Sequence, residues 1–195
     1  MDPKGEFGTD DEELLQAITH QAGTSLDNVF YNNKMAQALQ RYEYTQTDMA
    51  LLKSQIVNAG QSLFEADRVM LALHDTASHT IEMSFSGGAT KTVAQGSGAT
   101  WTVINSRVEL SLSQLSTGNA TALRSEFDFS EDEDPGMVLN PIISDGTVMG
   151  VIGVFGAGTE LDDELMQLVK LFASQAASLI RNCQLYTNAM VQNAR

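Results

Sequence analysis

The chain has 195 residues, 43% of them apolar, enough for one well-buried core of roughly 130 to 150 residues and too few for two. Its formal net charge of −14, with no cluster of Lys or Arg to oppose it locally, repels phosphate backbones and anionic lipid and excludes nucleic acid and membranes as expected partners. A single cysteine, Cys183, allows no internal disulfide and no paired-cysteine metal half-site. Apolar runs such as Val148 to Phe155 fall short of the roughly 20 residues a membrane span needs, and no leader pattern opens the chain. A reducing, cytoplasmic setting is expected.

Residues 1–9, "MDPKGEFGT", have no apolar periodicity and read as a vector remnant. From Asp10 to about Gly60 there is no proline, and Leu15, Ile18, Ala22, Val29, Ala36 and Leu39 recur at helical spacing, interrupted by Ser25 and Asn32. This predicts one long connecting helix, or two in line, over residues 10–60. Such a stripe either pairs with a second copy of itself in coiled-coil fashion, with Leu15, Ile18, Val29 and Leu39 at the seam of a homodimer, or folds back as a two-helix hairpin.

The remaining residues, 61–195, form the expected domain. Arg68 to Asp75 alternates around Val69, Leu71 and Leu73, and His79 to Ser86 around Ile81, Met83 and Phe85, which predicts a hairpin. Gly87 and Gly88 end it, and "ATKTVAQ" reads as a third strand. Gly98 to Arg107 reads as a short helix, "VELSL" as a weak strand, and residues 115–135 as a long polar loop. "GMVLNPIIS" and "TVMGVIGVF", joined by Asp145 and Gly146, predict a second hairpin. A long amphipathic helix follows from Leu161 to Arg195, with Thr159 or Asp162 as N-cap. Its buried face is Leu165, Leu168, Val169, Phe172, Ala176, Leu179, Ile180 and Cys183. The order predicts an α+β sandwich: an antiparallel sheet flanked by terminal helices.

Leu14 to Asn28 echoes Leu168 to Asn182 without gaps, with identities at Leu14/Leu168, Gln21/Gln175, Ala22/Ala176 and Asn28/Asn182. Periodicity alone does not demand matching Gln and Asn. The echo predicts that the chain opens with the last helix of a preceding, similar unit.

Three segments, "SLFEADRVMLALHD", "NPIISDGTVMGVIGVF" and "DDELMQLVKLFASQAASLIRNCQLY", together resemble a GAF domain, the small-ligand sensory module of phosphodiesterases, cyclases, phytochromes and bacterial regulators. The resemblance covers about residues 45 to 195. It implies five to six antiparallel strands with the long N- and C-terminal helices on one face and a small-ligand pocket on the other. The late hairpin would floor that pocket and the 98–135 segment would roof it. Ser84, Trp101, Asn105, Glu126, Phe127 and Asp128 are the implied ligand-binding positions. The function implied is that of a non-catalytic regulatory module, the second unit of a tandem, dimeric through its terminal helices and passing signals to an output domain. The alternative is a cyclic-nucleotide-binding domain. Where such relatives carry an Asn-Lys pair, a Phe and an Asp-Glu, this chain has Gly156, Ala157, Thr159 and Asp163-Glu164, so only the acidic pair is retained.

Catalytic and metal signals are weak. His74 and His79 flank the "DTAS" turn as surface residues without a third ligand nearby, and "SEDED" lacks the glycine turn and spacing of a calcium loop. No nucleophile elbow, phosphate loop or Cys/His pairing occurs. One cysteine cannot both attack and resolve, which argues against sulfoxide reduction, and Cys183 lies too deep in the last helix for covalent bilin attachment. No catalytic residue, metal or cofactor is expected.

Overall fold

The computed structural model describes residues 48–113, 120–133, 135–156 and 162–193. The expected dimerisation residues Leu15, Ile18, Val29 and Leu39, and the N-terminal half of the echo, lie outside these ranges.

Helix α1, Met49–Phe64, starts at a true N-cap. The Asp48 carboxylate accepts from the amides of Ala50 and Leu51 at 3.0 and 3.1 Å, satisfying donors that the first turn cannot pair internally. The helix runs past Gly60, so the boundary expected at residue 60 falls inside it. Leu52, Ile56, Val57, Ala59 and Phe64 form its buried stripe.

Six strands follow: β1 Arg68–Asp75, β2 Thr80–Phe85, β3 Thr90–Ala94, β4 Leu110–Leu112, β5 Met137–Ser144 and β6 Thr147–Phe155. They make one antiparallel sheet in the order β3-β2-β1-β6-β5-β4. The late hairpin turns at Asp145 and Gly146, both at positive φ (50° and 73°). That pair matches a tight hairpin turn whose twist suits the flanking strands. A register shift between Ile142 and Ile143 brings Val148 onto the same face as Val151, as an inserted residue does.

Both sheet faces are covered. Val69, Leu71, Val138, Ile152 and Val154 lie under α1 and the last helix, α4 (Asp163–Asn193). The residues alternating with them, Met70, Ala72, Ile81, Met83, Met137, Leu139 and Phe155, form a second core with α2 (Ala99–Ser106) and α3 (Ala120–Phe127).

Asp162 is the N-cap of α4, accepting from the Leu165 amide at 2.8 Å. The expected stripe is buried from Leu168 to Cys183, joined by Ala173 and Ala177, while Leu165 and Leu179 are only half-buried. Phe172 and Phe64 meet edge to face, ring centroids 5.2 Å apart, and fasten α4 to α1.

Helix α3 corrects the reading of residues 115–135 as a loop. Its sequence, "ATALRSEF", carries only Leu123 and Phe127 as large apolar residues, four apart, and both are buried. Two anchors on one side are too short a pattern to signal a helix without the partners that hold it.

Candidate functional site

A half-open cavity of about 980 Å³ lies between the roof helices α2 and α3 and the two edge strands. Val93, Ala99, Trp101, Leu110, Leu112 and Leu123 give it an apolar lining. Val93, Leu110 and Leu112 also pack against the adjoining core. The volume is at the upper end for small-molecule clefts, which are mostly apolar with a few placed polar groups.

The roof is tied down by long-range contacts. Lys91 on β3 donates to the carbonyls of Ser125 and Glu126 at 2.8 and 3.0 Å and pairs with Asp128 at 2.8 Å, placing a cation at the C-terminal end of α3, where the helix dipole favours it. Glu126 reaches the other way, its two carboxylate oxygens accepting from the amides of Ala99 and Thr100 at 2.7 and 2.9 Å. It thus caps α2 from a neighbouring helix. Gly98 makes room for this contact, since a Cβ there would lie 2.8 Å from Oε2 of Glu126. The Trp101 indole donates to the Ala94 carbonyl at 3.1 Å, fixing α2 to the end of β3.

Arg68 closes the inner end of the roof. Its guanidinium donates to the Phe127 carbonyl at 2.6 Å and lies over the Phe129 ring at 3.9 Å, with Phe85 and Phe155 also in range. Burial lowers its pKa from the ordinary arginine value, opposed by the carboxylates of Glu133 and Asp128; arginine still stays charged. Arg68→Met is therefore expected to lower stability by about 2 kcal/mol, the scale of one hydrogen bond to a charged group. The check is urea denaturation followed by circular dichroism.

The sequence expectations divide here. Trp101 and Glu126 line the cavity. Ser84 does not: alternation with Met83 and Phe85 turns it to the α1 side, where it lines a small hollow of about 130 Å³ with Lys53 and Glu82. Asn105 is exposed at the far end of α2. Phe127 is fully buried in the core, its ring 5.0 Å from that of Phe155, and Asp128 is an exposed partner of Lys91.

The floor also differs from the expectation. Met137, Leu139, Val151 and Phe155 of the late hairpin are buried in the core, so the cavity is displaced toward β3 and β4. His74, expected at the surface, is half-buried with its ring 5.2 Å from that of Trp101. Among the described residues, no group of His, Cys, Asp and Glu is arranged to hold a metal ion, and no helix is long and apolar enough to cross a membrane.

The roles of Lys91, Arg68 and Gly98 were not legible beforehand. Lys91 stands out only as the one charged residue in its strand, and Gly98 only as the residue before a helix.

Residues 48–180 match the family model of the GAF domain. With the sheet order and helix placement above, the chain belongs to the GAF domain family. Its fold is shared by the GAF domain of an Acinetobacter phosphoenolpyruvate-protein phosphotransferase, at 12% identity and a TM-score of 0.65, covering 82% of this chain and 98% of that one. The corresponding domain from Coxiella burnetii has 16% identity and a TM-score of 0.65, covering 80% and 95%. Free methionine-R-sulfoxide reductase from Neisseria meningitidis has 14% identity and a TM-score of 0.62, covering 82% and 91%. No curated protein sequence matches the chain. GAF domains are typically regulatory or sensory, while the reductase shows that the fold also serves enzymes.

Proposed function

We propose that this chain is a non-catalytic sensory module that binds a small molecule beneath α2 and α3, dimerises through its terminal helices and relays occupancy to a neighbouring output domain. The observation that carries the proposal is the cavity on the sheet face opposite α1 and α4, under a roof tied by Lys91, Glu126 and Trp101. An exit route supports it: Glu109, just before the cavity-lining strand β4, pairs with Lys170 of α4 at 2.8 Å. This pair holds the Glu109 carboxyl below its ordinary pKa. A shift of Leu110 and Leu112 on ligand entry would pull on α4 through it.

The absence of catalysis in this reading rests on Cys183. The chain's only thiol is 2% exposed on the α4 face, away from the cavity, and burial pushes its pKa up, so it is a poor nucleophile. Dimerisation rests on the Leu15, Ile18, Val29 and Leu39 stripe, and on Tyr186 and Met190 of α4, which are 49% and 64% exposed and four residues apart on the helix.

Light scattering tests the assembly. The intact chain is expected as a dimer at tens of micromolar, and charged replacements of Ile18 and Leu39 should release monomers with an unchanged thermal transition. A monomeric parent chain would overturn the dimer. Occupancy is tested by native mass spectrometry of the purified chain before and after denaturing extraction. A released small molecule that restabilises the chain on return supports the sensor.

A further inference from the structure

We infer that Glu126 is a built-in anion, occupying the amide cradle of the cavity so that it selects an uncharged ligand with an aromatic or aliphatic body and rejects phosphates, sulfonates and carboxylates. This rests on the reading above that the cavity takes a small molecule, and names the class.

The argument is an inventory of the polar groups around the cavity. An anion entering an apolar cleft needs donors, and the natural ones are the free amides at a helix N-terminus. Here the Ala99 and Thr100 amides are both taken by Glu126. Lys91 offers three donors, and its three acceptors are Ser125 O, Glu126 O and Asp128 Oδ1. The Thr102 hydroxyl donates to the Gly98 carbonyl at 2.7 Å, and the Trp101 indole is held by Ala94. Of the described lining side chains, Ser97 and Ser125 keep their hydroxyls for the polar edge of a ligand.

Charge points the same way. Asp128 matches Lys91, leaving the Glu126 carboxylate without a cation of its own in the lining. An incoming anion would have to displace a carboxylate tethered a few ångströms away, at high effective concentration, inside a chain of net charge −14. Gly98 is the second mark of a built arrangement, because a Cβ there would lie 2.8 Å from Oε2 of Glu126 and the carboxylate would have to shift.

Two fluorescent probes of the same body test this: neutral N-phenyl-1-naphthylamine and anionic 8-anilinonaphthalene-1-sulfonate. The parent chain should bind the neutral probe at least about ten-fold more tightly, a modest demand for one close charge in a partly dry cleft. Val93→Trp, which sets a bulky ring across part of the apolar lining, should weaken that binding. Glu126→Ala frees both amides and should raise the affinity for the sulfonate relative to that for the neutral probe about ten-fold. Lys91 keeps its backbone acceptors in this variant, and Glu126→Gln, which preserves side-chain volume, should give a smaller gain of the same sign should the alanine variant misfold. Equal affinities in the parent chain, or an unchanged ratio in both variants, would overturn the inference alone. Failure of the neutral probe to bind, or binding left unchanged by Val93→Trp, would overturn the cavity as a ligand site and the inference with it.

Discussion

Phe172→Ala is expected to cost about 3 to 5 kcal/mol, the range for deleting a fully buried aromatic side chain. The ring has no solvent exposure and stands edge-on to Phe64, so its loss opens a void between α4, α1 and the sheet. The surroundings make the prediction more specific. A Cβ added at Gly60 would lie 3.2 Å from Cγ1 of Val69 and 3.3 Å from both Cε1 and Cζ of Phe172; the first contact stays when the ring is removed and the other two vanish with it. Gly60→Ala gains helix propensity in either background but meets the Phe172 ring only in the parent chain, so it should be more favourable in the Phe172→Ala background than in the parent. The coupling should reach about 1 kcal/mol in a double-mutant cycle read by urea denaturation. Strict additivity would show that α1 and α4 do not meet through this ring.

The second large effect is Gly150→Val, expected to exceed about 4 kcal/mol, a size reserved for a short set of mechanisms. Here the mechanism is collision with backbone. A Cβ at Gly150 would run into the Ala72 carbonyl oxygen and sit 3.0 Å from its carbon and 3.1 Å from the Leu73 Cα. Neither strand can yield, because β1 and β6 are both interior strands of the sheet and the register shift of β5 lies beside the site. Gly96→Ala is the control: the nearest atom to its added Cβ is the Ala94 carbonyl oxygen at 3.8 Å, so stability should move by less than about 0.5 kcal/mol. Far-ultraviolet circular dichroism and thermal melts of the two variants would separate a local clash from a general intolerance of glycine replacement.

The elements that local pattern controls were legible in the sequence. Alternation around Val69 and Ile81 gave the first hairpin, Asp145 and Gly146 placed the late turn, and the Leu168 to Cys183 stripe gave the buried face of α4. The antiparallel sheet flanked by terminal helices followed from their order, and the placement of the long helices on one face was implied by the GAF resemblance that three segments carry. What the sequence hid depends on residues that meet from far apart. Helix α3 is held by Lys91 and by its own Glu126 reaching to α2, contacts across 26 to 37 residues, and no window of the chain contains them.

The candidate site was legible only in outline. Trp101 and Glu126 line the cavity as part of the segment read as its roof. Ser84 failed because both faces of the sheet are covered, so a polar residue alternating with Met83 and Phe85 faces α1 rather than the cavity. Phe127 failed because a large aromatic in a roof can pack inward as readily as line a cleft, and Asn105 because α2 turns that residue outward. The cavity itself moved off the late hairpin because Met137, Leu139 and Phe155 are bulky enough to fill the space above it.

The central claim is that occupancy of the cavity is felt along α4. Spin labels on a cysteine introduced at position 186 of both protomers read this directly, since Tyr186 is exposed and Cys183 is buried. Distances would be recorded with and without saturating N-phenyl-1-naphthylamine. The account predicts a shift of the distance distribution on binding, reduced when Lys170→Met removes the tie to Glu109. Identical distributions with the probe demonstrably bound would contradict it, and would make the domain a spacer and dimeriser whose cavity controls nothing through its helices.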